Sequence, residues 1–355
     1  MRKIQVSRKL TDITHHFRLR NIALLSFGFL IMLVVAQWVG FDTLIPIVQE
    51  MNPFYFALFL ALKVTALLIW NGKWKLLVDE IRKVKFWGLF PITMTYMLVN
   101  SITPGYNVGG EPVRAYYLSK RTGLSISRCL STAVMDTGVA FVIFMMITML
   151  SMFYVLVFFD IPVVEGLIQL LFLVVILISG ILLVLINRKK TPTVFLKFSR
   201  RFMHWIYRLK FIKKHYKTYE DFKAVFHGGL LKFEDSWDTL ARNKKRLVLV
   251  AFLSILLQMI EYLKIYTLFL AVGVHVNFWV IIVVVTVAWV LGYFVFLPGG
   301  IGVVEAVMIA IFIAFGIDAG AAGAVTIVNR LVFSFIIYGF GTISFIHVNS
   351  KYHKK

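Results

Sequence analysis

Six stretches of this chain, at about 21–40, 53–70, 129–159, 167–187, 247–272 and 321–347, are long apolar runs almost free of charge. Each is long enough for a hydrocarbon core roughly 30 Å thick. A chain that puts such runs into lipid must satisfy every backbone N–H and C=O internally, which leaves helices as the spanning element for runs of this length. The composition agrees: 60% of the 355 residues are hydrophobic and only 15% are charged. A soluble domain is about 45–50% apolar and about 25% charged. Soluble enzymes, nucleic-acid-binding domains and disordered scaffolds are therefore excluded. The first run follows a basic tail and has no small-residue cleavage site after it, so it reads as a retained span rather than a signal peptide.

Two further apolar stretches are broken. Residues 89–103 end at Pro104-Gly105, and 279–297 end at Pro298-Gly299-Gly300. Broken backbone at membrane depth is tolerated only where protein or a water-filled cavity satisfies it. Both are read as re-entrant or broken-helix hairpins, over 89–128 and 279–316.

Charge placement sets the expected orientation. Of the 38 lysines and arginines, all but Lys63, Lys264 and Arg330 fall in the two tails or in segments 71–88, 104–128 and 188–246. The loops 41–52, 160–166, 273–278 and 317–320 hold none. One topology collects these cations on one face. It has both termini cytoplasmic, six full spans in a domain over 21–347, and hairpins entering from opposite sides between tails 1–20 and 348–355. If 279–316 crosses fully, the count becomes eight. The net charge of +21 is thus an orientation signal and not a nucleic-acid footprint.

The hairpins also resemble each other. At a constant offset of 194 residues, Pro104-Gly105 aligns with Pro298-Gly299 and Glu111 with Glu305. Val113, Thr132, Val134 and Phe141 align with Val307, Thr326, Val328 and Phe335. Apolar composition alone gives some such matches. An inverted pseudo-repeat with paired Gly/Pro interruptions is, however, the best sequence pointer to a transporter's central site.

The polar residues at these breaks are the candidates. Gly105, Gly109, Gly110 and, in the second copy, Gly300 and Gly302 permit turns. A helix starting near Glu111, with Pro112 in its first turn, would offer free N–H groups to a lipid phosphate, and Arg114 one turn on would fork onto it. The plainer alternative is a capping glutamate and an interfacial arginine. Glu305 has apolar neighbours, and an intramembrane carboxylate is functional by default unless it only caps a helix. Asp136 and Arg330 each lie 25 residues after their glutamate. They would meet near the centre or hold opposite ends of a zwitterion; a structural salt bridge is the alternative for Arg330. Glu261 and Lys264 sit one turn apart and pair along their helix. Lys63 is too deep in its span to snorkel easily, so it faces the protein interior.

Segment 188–246 carries 17 basic and 5 acidic residues. Phe195, Phe198, Phe202, Trp205, Ile206 and Leu209 recur there at helical spacing, as in a helix lying on an anionic leaflet. A plain cytoplasmic loop is the alternative. The single cysteine, Cys129, excludes an internal disulfide and a Cys-rich metal site. No catalytic, metal-binding or nucleotide-binding constellation is present, and no cofactor is expected.

Pro104 with Gly110-Glu111-Pro112-Val113-Arg114, Leu297-Pro-Gly-Gly-Ile-Gly302 with Glu305, and Arg330 together resemble the membrane domain of the lysylphosphatidylglycerol synthetase/flippase (MprF-like) family. The likeness covers about residues 20–347. It implies a cell-membrane flippase for aminoacylated, anionic or isoprenoid lipids, with Glu111, Arg114, Asp136, Glu305 and Arg330 along the path. Membrane lipids are then the partners, a homo-oligomer is compatible, and nucleic acid is not a partner. Larger family members attach a soluble aminoacyl-transferase domain; none is found in these residues, so lysyl transfer is not expected. The competing readings are a membrane-embedded lipid transferase using Asp136 or Glu111 as general base, and an accessory subunit recruiting an enzyme through 188–246.

Overall fold

The end of one helix is hydrogen-bonded to the start of another at both poles of this molecule, and that pairing organises the rest. The structure is a computed structural model that describes residues 40–103, 109–158, 218–295 and 297–353, with Leu30, Val34 and Gln37. The expected span at 167–187, most of that at 21–40, the Phe195–Leu209 stripe, and Pro104 and Gly105 lie outside the described residues.

Among the described residues there are ten α-helices and no strand. They are α1 (Phe41–Gln49), α2 (Pro53–Ile81), α3 (Phe86–Ile102), α4 (Gly110–Thr122), α5 (Ile126–Phe158), α6 (Tyr219–Arg242), α7 (Lys244–Ala271), α8 (Phe278–Tyr293), α9 (Val303–Ala314) and α10 (Ala319–His353). A 3-10 turn, Pro298–Gly300, joins α8 to α9. Four helices, α2, α5, α7 and α10, are long and apolar enough to cross a membrane, whereas α8 and α9 are shorter apolar helices.

Local chemistry starts and stops these helices. Asn52 caps α2 by accepting from the Phe54 N–H at 3.0 Å, and Pro53 takes the first position, where a missing N–H is harmless. Asn243 and Asn277 cap α7 and α8 in the same way. Gly123 closes α4 in the left-handed region, at φ 76°. The α2 helix continues well past the apolar run expected at 53–70, because Asn71 and Lys73 are buried with partners of their own.

The sequence α2–α5 recurs as α7–α10. The four helices have 29, 17, 13 and 33 residues in the first series and 28, 16, 12 and 35 in the second. Shifted by 194 residues, each start in the first series falls within three residues of its counterpart. The counterparts α2 and α7 run antiparallel. At one pole the Asn52 N–H donates to the Ala271 carbonyl at 2.8 Å, and Tyr154 stacks on Trp279 at 5.2 Å. At the other pole Arg246 pairs with Glu80 at 2.8 Å, and Arg121 donates to the Tyr352 hydroxyl at 2.9 Å. The two series interlock: α2 packs on α7, α3 on α10 and on the 3-10 turn, and α8 on α5.

The largest buried cluster unites α7, α8, α9 and α10 through Phe269, Ile281, Phe312 and Val325. Lipid is as apolar as these side chains, so close packing rather than the hydrophobic effect holds such helices together. In segment 188–246, the described helix α6 packs across α5, with Leu240 buried beside Leu77, Met135 and Val250.

Candidate functional site

Two buried charge clusters lie near the contact between the end of α3 and the 3-10 turn. The end of α3 touches the 3-10 turn, and a Cβ on Gly299 would stand 3.2 Å from the Ser101 carbonyl oxygen. Gly299 is at φ 57°, Gly300 at 63° and Gly302 at 85°, so only glycine makes this turn without strain. Pro298 is buried at its head. Gly109, at φ 119°, precedes α4. Gly110 packs so closely that its N–H donates to the Asn100 side chain at 2.7 Å.

The first cluster is built on Asp136 of α5. Arg114 of α4 holds one carboxylate oxygen at 2.8 Å, and Lys73 of α2 stands 3.1 Å from the other. All three side chains are at most 3% exposed. The guanidinium also donates to the Ala133 carbonyl at 2.6 Å and to the Thr137 hydroxyl at 3.0 Å. It lies over the rings of Tyr96 and Trp74, at 4.5 and 5.1 Å. Lys73 donates in turn to Ser254 of α7 at 3.3 Å. Glu111, in the first turn of α4, accepts from Thr137 at 3.1 Å and from Tyr96 at 3.5 Å. Two cations thus face two carboxylates, knitted by hydroxyls.

The second cluster is built on Glu305, in the first turn of α9. One oxygen accepts from the Gly302 N–H at 2.6 Å, capping the helix, and the other faces Arg330 of α10 at 3.4 Å. Arg330 also donates to the Gly299 carbonyl at 3.2 Å, which ties it to the hairpin turn. On α7, Lys264 lies 2.5 Å from Glu261. Buried Lys63 of α2 reaches toward Lys264 and sits over the rings of Phe59 and Phe333.

The sequence-matched residues therefore occupy matched places with different company. Glu111 and Glu305 both open the helix after a hairpin break. Asp136 and Arg330 do not meet each other: each has its own partner of opposite charge. Arg114 points inward at Asp136 rather than at an open head-group cleft. Lys73 escapes sequence reasoning, which assigns it to a basic loop. The signal that finds it is Trp70, Trp74 and Leu77, which continue the helical period of α2 on either side of it. Among the described residues no group of histidines, cysteines and carboxylates could hold a metal ion.

Known proteins resemble this chain over nearly all its length. The family described as the lysylphosphatidylglycerol synthase TM region matches residues 22–341. A UPF0104 membrane protein of Methanocaldococcus jannaschii is 27% identical over 350 residues, covering 95% of this chain and 97% of that protein. One from Methanothermobacter thermautotrophicus is 26% identical over 311 residues, covering 86% and 89%. Another, from Pyrococcus horikoshii, is 23% identical over 318 residues, covering 88% and 93%.

Proposed function

We propose that this chain, which belongs to the lysylphosphatidylglycerol synthase TM-region family, translocates phospholipid between the leaflets of the cell membrane. The observation that carries this reading is the contact between Ser101, at the end of α3, and Gly299, in the turn of the second hairpin. Charge clusters near that contact offer polar stations to a head group, while the acyl chains stay in lipid. Buried charge is expensive in a membrane and is kept where a polar species passes. The halves are read as an inverted repeat, with the pole bearing Glu80, Arg246 and Tyr352 in the cytoplasm along with both termini.

In this reading Arg330 links Glu305 to the turn of the second hairpin, so movement of the turn and exposure of the charge are coupled. Asp136 is clamped between two cations and suits the role of counter-ion better than that of general base. A transferase acting through it is accordingly the weaker reading.

The test is transbilayer movement of a fluorescent phospholipid in proteoliposomes with an outer-leaflet quencher. Protein-dependent quenching of the inner pool is expected, and Arg330→Ala should slow it about tenfold or more, since it removes two charge-assisted contacts. A fully active Arg330→Ala protein would remove Arg330 from the path. Absence of movement in the unaltered protein, across anionic, zwitterionic and aminoacylated lipids, would overturn translocation itself.

A further inference from the structure

The two buried clusters differ in charge. Around Asp136, Lys73 and Arg114 are matched by Asp136 and Glu111. Around Glu305, three cations, Lys63, Lys264 and Arg330, face only two carboxylates, Glu261 and Glu305. The excess is located at Lys63. Lys264 has Glu261 at 2.5 Å and Arg330 has Glu305 at 3.4 Å, whereas the Lys63 ammonium is surrounded by two aromatic rings, the Lys264 ammonium and a Glu261 carboxylate that Lys264 already holds. Lys63 and Arg330 both lie against the Phe333 ring, at 5.3 and 5.7 Å from its centre. Arg330 Nε is buried without a hydrogen-bond partner, so the arginine has a donor to spare. The cluster is not sealed, because the Glu261 side chain is 24% exposed.

We propose that Lys63 and Arg330 form a binding site for one phosphate group, that of a phospholipid head group with a net charge of minus one. An uncompensated buried cation is costly, and an anion held between the two donors removes that cost. A guanidinium and an ammonium together give the forked and point-like donors that phosphate oxygens accept. A phosphodiester carries the single negative charge that the cluster lacks. A zwitterionic head group brings its own cation and leaves the excess in place, and a lysylated head group with net positive charge increases it. The inference rests on the translocation reading and narrows its substrate to anionic, non-aminoacylated phospholipid.

The experiment follows thermal unfolding of the full chain in detergent with added phosphatidylglycerol, lysyl-phosphatidylglycerol, phosphatidylcholine or inorganic phosphate, since a ligand of the folded state raises the midpoint. Phosphatidylglycerol should raise the midpoint more than the other three. Lys63→Met should lose that surplus, as expected of binding about tenfold weaker or more, and Lys63→Arg should keep it. An equal surplus in Lys63→Met overturns the site, the cluster then being neutral without a ligand. An equal, Lys63-dependent rise with inorganic phosphate assigns the site to a soluble anion and overturns the lipid. If Lys63→Met does not fold, Glu261→Gln, which adds to the excess, should strengthen the preference for phosphatidylglycerol; an unchanged or weaker preference overturns the site. Transport is read separately in proteoliposomes. Lys63-dependent lipid binding without any lipid movement leaves the site standing and removes translocation; movement of every lipid alike, unaffected by Lys63→Met, does the reverse.

Discussion

Asp136 shows how much one buried charge commits the residues around it. Its carboxylate is 2% exposed and lies between Arg114 and Lys73. Replacing it with asparagine preserves the shape and leaves two cations with only Glu111, which reaches Arg114 through the Thr137 hydroxyl, as counter-ion. Asp136→Asn should therefore destabilise the protein by about 3–5 kcal/mol, the usual cost of breaking a buried pair. A lower unfolding midpoint in detergent checks it, and adding Lys73→Met should recover part of the loss, because one stranded cation is then gone. An unchanged midpoint in Asp136→Asn would mean that the cations do not depend on it. At this scale the sequence was informative about which charges are buried and less so about whom they touch. Asp136, Arg330 and Glu305 stand out as charges in apolar surroundings. Their partners come from helices far apart in the chain, and no periodicity carries that information. Lys73 was hidden for a related reason: a lysine just beyond an apolar run looks the same whether it enters water or turns back onto a carboxylate.

Among the elements, the seam between α3 and α10 is one of those that join the two halves, and it depends on a missing side chain. A Cβ on Gly341 of α10 would stand 3.0 Å from the Leu98 Cβ and 3.3 Å from the Met94 carbonyl oxygen of α3. Small residues let membrane helices approach in this way. One-half turn away, Gly339 is exposed and has nothing within 4 Å of the same construction. Gly341→Val should push the helices apart and cost about 1–3 kcal/mol, the range for overpacking. Gly339→Val shares the change in helix propensity but not the clash, and should leave the unfolding midpoint nearly where it was. Equal effects of the two substitutions would show that the seam is not close-packed. Helix boundaries at such seams were partly legible. The end of α3 ahead of Pro104, the break at Pro298 and the starts of α4 and α10 follow from glycine, proline and hydropathy. The extension of α2 to Ile81 does not, because it depends on polar partners for Asn71 and Lys73 supplied by α3, α5 and α7.

For the whole molecule the question is whether the two helical series face opposite ways in the membrane. The 194-residue offset, read from seven identities, reappears as matching helix starts and as antiparallel contact between α2 and α7. Antiparallel counterparts place equivalent loops at opposite poles. The α2–α3 loop contains Lys83, beside the pole rich in lysine and arginine, and the α7–α8 loop contains His275, in a stretch without either. By the positive-inside rule the first is expected in the cytoplasm and the second on the opposite side. Both positions are exposed, whereas the native Cys129 is fully buried, so single cysteines introduced there report without background from it. A membrane-impermeant maleimide added to intact cells should label His275→Cys and spare Lys83→Cys, and permeabilisation should make both reactive. Labelling of both in intact cells would place the two loops on one side and rule out inversion. Labelling of Lys83→Cys alone would keep the inversion but reverse its orientation, moving the Asp136 cluster from the cytoplasmic to the outer half of the membrane.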